Sequence, residues 1–271
     1  MSFRTPAKQV ILGVGISKTS YTEVANLCVR WLVQSSQQNS APARYICITS
    51  VHGIITGVFD PGFRSILNNA DIATPDGMPV VWALRSFGAK NQTRVYGPTL
   101  MFHVCEIVAK SGHSIFLYGG KPEVLDRLRQ NLECRFPDLK IAGAYSPPFR
   151  PLTPDERETV IRRILETKAH IIFVGLSTPK QENWMASCRS AFHGCILIGV
   201  GAAFDFHAHT LKQAPRWMQD AGLEWLFRFM IEPRRLWKRY LLITPLFLPL
   251  WGLQKLGLLR YPQQSVGLEK A

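Results

Sequence analysis

The sequence is poor in acid. Its 271 residues carry 19 Asp and Glu against 32 Lys and Arg, a formal net charge of +13, and a chain with that excess seeks anions. Nucleic acid, acidic lipid headgroups and phosphorylated small molecules all qualify, so the placement of the charge has to choose among them. Metal-ligand spacing is missing as well. The six cysteines, Cys28, Cys47, Cys105, Cys134, Cys188 and Cys195, include no CxxC pair and no suitably spaced histidine, which argues against a zinc site or a disulfide framework. Most lie in apolar runs, as thiols of a reducing compartment do. Gly13-Val14-Gly15 is followed by Lys18 where a GxGxxG motif requires glycine, so the dinucleotide fingerprint is absent. No apolar run reaches the roughly 20 residues that a membrane-spanning helix needs. The segment MSFRTPAKQVILGVGISK has basic residues ahead of an apolar run, but the run is short and lacks a small-residue cleavage pattern, so it reads as a first strand. Internal repeats and low-complexity segments are absent too.

What is present is a globular pattern. Hydrophobic residues make up 46%, and the length allows one large core or two smaller ones. Short β-branched runs alternate with longer amphipathic stretches, which predicts a mainly parallel sheet with helices on its faces and right-handed crossovers. The expected strands are 10–16, 44–49, 70–74, 114–119, 140–145, 170–175 and 195–201. Thr153-Pro-Asp-Glu156 and Thr178-Pro-Lys-Gln181 each read as a helix start, with a capping threonine, proline at the first helical position and Glu or Gln at the third.

Ligands of such sheets bind beyond the carboxyl ends of the strands. Four turns fall there: TPDG (74–77), YGGKPE (118–123), GLSTPKQE (175–182) and GVGAAFDF (199–206). YGGKPE runs from a strand into a helix, so its backbone N–H groups suit a diphosphate; an ordinary glycine turn explains it equally well. Asp76 in Pro-Asp-Gly fits a plain turn, Gln181 fits the capping partner of Thr178, and Asp205 fits a cap after the last strand. His207 and His209 make an HxH pair without a third ligand, and read as exposed loop histidines rather than a metal site. Taken singly, each residue has an adequate structural explanation.

The C-terminal part breaks the pattern. In EPRRLWKRYLLITPLFLPLWGLQKLGLLRY (232–261), Pro233 suits a first helical position. At about 100° per residue, Arg234, Arg235, Lys238 and Arg239 fall on one face and Leu236, Trp237, Tyr240 and Leu241 on the other. The apolar stretch 241–253 is 13 residues long and is interrupted by Pro245 and Pro249, so it belongs at an interface or against protein rather than across a bilayer. Residues 223–231 fit a soluble core helix. Residues 212–260 hold nine basic and three acidic side chains, +6 of the total +13. Basic residues beside a membrane-inserting surface each gain about 1 kcal/mol from anionic lipid. A nucleic-acid reader interleaves basic and stacking residues without a long aliphatic appendage, so lipid-linked phosphate is the better partner and nucleic acid is not expected.

The motifs ADIATPDGMPVVWA (70–83), RVYGPTLM (94–101), FLYGGKPEVLDRL (116–128), VGLSTPKQENWM (174–185), GVGAAFDF (199–206) and APRWMQDAGLEWLFRFMIEPRRLWKRY (214–240) together resemble the WecG/TagA/CpsF glycosyltransferase family over roughly residues 10–240. The resemblance implies a Rossmann-like α/β core (1–212) and a basic, apolar, helical C-terminal appendage (213–271). It implies an inverting, metal-independent enzyme without cofactor, peripherally bound to the inner face of the cytoplasmic membrane. Such an enzyme moves an N-acetylmannosamine, N-acetylmannosaminuronic acid, glucose or glucuronic acid type of sugar from a UDP-sugar to an undecaprenyl-diphosphate-linked sugar in surface polysaccharide synthesis. Homo-oligomer formation is compatible with the sequence.

By the same resemblance the base is Asp76, and Gln181, Arg228 and Arg235 are the other catalytic candidates. Thr74, Ser50, Tyr118, Gly119, Gly120, Asp205, Arg234 and Arg239 are substrate-binding candidates. Arg228, Arg234, Arg235 and Arg239 are candidates either for the leaving diphosphate or for that of the acceptor. Many members carry Thr-x-Asn near the end of the second strand; here the stretch is Ile48-Thr49-Ser50, so acceptor contacts or sugar preference are expected to differ. Two other classes fit parts of the chain: a nucleotide-dependent oxidoreductase, disfavoured by the missing GxGxxG, and a non-catalytic peripheral membrane protein, which leaves the strand-end motifs unexplained.

Overall fold

The computed structural model describes residues 5–37 and 41–261. Residues 1–4, which open the segment read as a first strand, and 262–271, which end the expected appendage, lie outside the described residues, as do 38–40. The first strand is in fact a hairpin. β1 (Lys8–Ile11) pairs antiparallel with β2 (Val14–Ser17), because Leu12 and Gly13 both take positive φ, 49° and 83°, the geometry of a tight two-residue turn. Leu12 tolerates it because its side chain is fully buried.

The other six strands behave as the alternation predicts. β3 (Arg44–Thr49), β4 (Ile72–Pro75), β5 (Ser114–Gly119), β6 (Lys140–Tyr145), β7 (Ile171–Gly175) and β8 (Ile196–Gly199) form one parallel sheet in the order β4-β3-β8-β7-β5-β6. Period-two side-chain direction divides them between two cores. Ile46, Ile72, Leu117, Phe173 and Ile198 pack under the helices Tyr21–Gln37, Gly97–Lys110 and Pro122–Arg135. Tyr45, Ala73, Tyr118, Val174 and Leu197 pack against the hairpin and the helices Val51–Phe59, Pro61–Asn69, Met78–Ser86, Pro154–Glu166 and Lys180–Cys188. Both faces are buried except at the edge strand β6, none of whose residues is fully buried, and the buried strands therefore read as continuous apolar runs.

Of the two expected helix starts, one forms as read. Thr153 accepts from the Glu156 amide and the Glu156 carboxylate reaches back to the Thr153 amide. At the other, Thr178 does not cap. Ser177 takes positive φ, 64°, and the helix begins at Lys180. The Thr178 hydroxyl instead donates to Glu182 Oε1 at 2.9 Å, which leaves the Gln181 side chain free to span elsewhere.

The C-terminal segment folds as short helices, Arg216–Asp220, Glu224–Ile231, Pro233–Trp237 and Phe247–Lys255. Between the last two, Lys238–Ile243 winds in wider π turns and Thr244–Leu246 in a tight 3₁₀ turn. Pro245 cannot donate to the carbonyl one turn back and its ring crowds that turn, which widens the helix ahead of it. The simple two-faced pattern does not hold. Arg239 turns inward and only half of the expected apolar face is covered: Leu236 and Tyr240 are buried, Trp237 and Leu241 exposed. The helix Glu224–Ile231, read as a core helix, has no buried residue.

The segment is nevertheless fastened to the rest of the protein. Phe247 is 1% exposed within the second core. Gln254 accepts from the Leu12 amide at 2.8 Å and donates to the Val10 carbonyl at 3.1 Å. Phe247→Ala is expected to lower the unfolding free energy by about 3–5 kcal/mol, the usual cost of deleting a buried phenyl ring, read as a shift in the denaturant midpoint. A change below 1 kcal/mol would mean that this end of the chain is not part of the cooperative core.

Candidate active site

β3, β4 and β8 end side by side, and the site grows from their last residues. Thr49 is in register with Pro75, and Cys47 with both Ala73 and Gly199. The Asp76 amide donates to the Thr49 carbonyl at 3.0 Å and Val95 to the Pro75 carbonyl at 2.9 Å. Gly77, at φ 90°, then reverses the chain into the helix Met78–Ser86, a conformation that costs glycine little. So Pro-Asp-Gly is a turn, and the turn also aims a carboxylate. Asp76 lines a cleft together with Ser50, His52, Arg94, Arg228 and Arg239. Its continuation past Tyr96 is lined by Gln181, Gly199 and Gly201.

Three charges dominate the cleft wall. Arg94 donates through Nε and Nη2 to the same Asp76 oxygen, Oδ1, at 3.2 and 3.1 Å, and through Nη2 to Glu224 Oε2 at 2.7 Å. Its guanidinium also lies 4.0 Å over the Tyr96 ring. Burial works against the Arg94 charge, but Asp76 and Glu224 outweigh it and hold the group firmly cationic. Asp76 Oδ2 makes no hydrogen bond among the described residues.

Opposite stand two guanidiniums without acid partners. Neither Arg228 nor Arg239 forms an ion pair among the described residues, and the Nε of each is buried without a hydrogen bond. Arg239 Nη2 donates to Ser50 Oγ at 3.3 Å, and burial depresses the Arg239 pKa. Half-buried cations with a buried, unbonded nitrogen are costly unless an anion completes them. His52, beside them, is pushed down to about 4 by burial and then by Arg239, so near neutral pH it adds no charge.

The remaining sequence candidates separate into those that line the cleft and those that do not. Gln181 is buried with both ends engaged: its Nε2 donates to Glu182 Oε1 at 3.0 Å, and its Oε1 accepts from the Gly201 amide at 3.0 Å. It is therefore not the capping partner of Thr178. Thr74 is fully buried, and its hydroxyl donates to the Val95 carbonyl at 3.4 Å, which braces the Asp76 turn. Tyr118 stacks on Trp184 with ring centroids 4.2 Å apart inside the second core, away from any ligand.

Gly119 and Gly120 serve strand packing. A Cβ on Gly119 would lie 2.5 Å from the Gly175 carbonyl oxygen, and the Gly120 amide already donates to that oxygen at 3.2 Å, so it is not offered to a phosphate. Asp205 accepts from the Thr210 hydroxyl at 3.4 Å, and burial raises its pKa. Arg234 and Arg235 are exposed outside the cleft, the latter paired with Glu232.

His207 corrects the reading of an exposed HxH loop. It is buried, stacked on Phe102 at 3.7 Å, with Nε2 at 2.9 Å from the Pro98 carbonyl; only His209 is exposed. No group of three or more metal-type side chains assembles among the described residues. A roomier cavity of about 780 Å³, lined by Arg135, His207, His209, Lys212 and Phe227, contains no carboxylate and none of the residues of the Asp76 cleft.

Sequence reasoning missed Arg94, Glu224 and His52. Arg94 and Glu224 sit inside recognisable motifs, but nothing local marks them as partners of Asp76. With the geometry in view, one comparison bears on it: residues 9–261 match the family model described as Glycosyl transferase WecG/TagA/CpsF family.

Buried His207 and half-buried His52 also set an acid limit. Burial holds His207 down to about 4, as it does His52, whereas the unfolded chain protonates histidine near 6.5. Between those values the unfolded state binds more protons, so stability is complete above about pH 6.5 and falls as pH drops toward 4. Denaturation across that window is expected to show this slope. His207→Phe, which keeps a ring against Phe102 but cannot titrate, should lower stability overall and flatten the slope; an unchanged slope would clear His207 of the effect.

Proposed function

The chain belongs to the WecG/TagA/CpsF glycosyltransferase family, and from that membership and the cleft around Asp76 we propose that it transfers a sugar from a UDP-sugar to a hydroxyl of an undecaprenyl-diphosphate-linked sugar. One observation carries the reading: a carboxylate with one oxygen anchored and the other open faces two guanidiniums that lack an anion. Asp76 Oδ2 takes the proton of the acceptor hydroxyl, whose oxygen attacks the anomeric carbon from the side opposite UDP. The bond from that carbon to the diphosphate oxygen breaks, and the configuration inverts. The electron pair leaves with UDP, and Arg228 and Arg239 take up its charge in place of a metal. Ser50, held by Arg239, sits where it reports on the acceptor or the sugar. Gln181 shapes the cleft floor at Gly201.

The appendage faces the membrane in this reading. Trp237, Leu241, Leu242, Leu248, Leu256 and Leu258 are all exposed, and no helix among the described residues is long and apolar enough to cross a bilayer. Such a surface suits shallow insertion, with Arg234, Arg235 and Lys238 drawn to anionic headgroups. Residues 1–212 then supply the sheet and base, and 213–271 the membrane contact and two cleft arginines. The placement is peripheral, on the cytoplasmic face where UDP-sugars are made.

Purified protein given a lipid-diphosphate-linked acceptor, a panel of UDP-sugars and EDTA is expected to release UDP with one donor. Asp76→Asn should lower kcat by about 10²–10⁴-fold with folding retained; turnover that survives the substitution would return Asp76 to being only a turn. For the membrane contact, replacing Leu241, Leu242 and Leu248 with serine should abolish cosedimentation with anionic vesicles at an unchanged unfolding midpoint. Undiminished cosedimentation would overturn that role.

A further inference from the structure

Arg94 is placed to block the base as easily as to support it. A guanidinium beside a carboxylate prefers two parallel hydrogen bonds, one to each oxygen. Here the backbone holds the two side chains adjacent, since Val95 is bonded to Pro75. Yet Nε and Nη2 both reach Oδ1, at 3.2 and 3.1 Å, and leave Oδ2 alone. The reason is on the other side of Nη2, where Glu224 Oε2 lies at 2.7 Å, closer than the carboxylate it shares. The three side chains are 16, 21 and 12% exposed for Arg94, Asp76 and Glu224, shielded enough for these contacts to fix geometry rather than fluctuate. Arg239 is also within electrostatic reach of Asp76 but makes no hydrogen bond to it. Tyr96 lies under the Arg94 guanidinium.

We propose that Glu224 is a positioning residue: by holding Arg94 Nη2 it prevents that guanidinium from closing onto both oxygens of Asp76, so the base is open only while the first turn of the helix Glu224–Ile231 stays docked beside the Asp76 turn. The inference rests on the reading of Asp76 as the base. Glu224 lies 148 positions after Asp76 and belongs to the same short helix as Arg228. Seating that helix therefore brings in a cation for the leaving group and opens the base in one movement. With the helix unseated, Nη2 is released to Oδ2 and the base is locked. A bound sugar nucleotide is then spared from attack by water until the appendage is in place.

The test is a double-mutant cycle in the full chain. Glu224→Gln is expected to lower kcat for UDP release by about 10²-fold, the scale of a misplaced reacting group, with KM for the donor little changed. Glu224→Asp, which keeps the charge, should recover part of the loss. Adding Arg94→Gln to Glu224→Gln should raise kcat again, because no guanidinium is left to lock Oδ2. A merely structural role predicts losses that add or worsen, and that result would overturn the inference, as would wild-type kcat in Glu224→Gln.

A crystal structure of Glu224→Gln reads the same point without turnover. Arg94 is expected to bridge both Asp76 oxygens there, and an unmoved guanidinium would reject the lock. Absence of UDP release from the wild-type protein would instead reject the transferase reading, leaving the crystal structure to decide the contact.

Discussion

Parallel pairing of β3 with β4 on one side and β8 on the other is the constraint on which the site depends. Parallel strands end at the same edge, so the residues that follow them meet whatever their distance along the chain. Ser50, Asp76 and Gly201 come together because their strands are in register. Glycine makes the meeting close. A Cβ on Gly97 would lie 3.2 Å from the Val200 carbonyl oxygen, and one on Gly199 2.8 Å from Met185; larger residues would push the helices off the strand ends and widen the cleft.

Charge is then added to this frame unevenly. The sheet edge contributes Asp76, and the C-terminal segment contributes Glu224, Arg228 and Arg239. Among the described residues only one cleft cation, Arg94, is balanced by acid. The other two are left to a ligand, which is an unfavourable state for a resting protein but a suitable one for binding a diphosphate. The segment that carries them is itself held by Phe247 in the core and by the Gln254 contacts to the hairpin. Its lower surface stays apolar and uncovered. One segment thus joins the charged cleft to an exposed apolar surface.

Much of this was legible along the chain. Strand positions 44–49, 114–119 and 140–145 coincide with β3, β5 and β6; for β3 and β5, burial on both faces leaves an apolar run that needs no partner to be recognised. The Thr153 helix start was legible too, since a capping box closes within four residues. The turn at Asp76 announced itself through proline and glycine. Where neighbours a few positions apart decide the structure, the sequence is sufficient.

Where distant contacts decide it, the same reasoning failed. The run 10–16 became a hairpin because Leu12 found a buried seat and Gln254 bonded its amide from the far end of the chain. Tyr118, next to a glycine turn, went to the core because the Trp184 ring stacks on it there. Arg239 left the exposed basic face because it stands three residues after Leu236 and next to Tyr240, the two residues of that turn that pack inward. The sequence by itself determined the order of strands and helices, the reversal at Gly77 and the basic, apolar character of the C-terminal segment, all of them properties of short stretches. Only the tertiary structure decided which cations Asp76 would meet, because an ion pair forms between side chains that are near in space and nothing in their spacing records it.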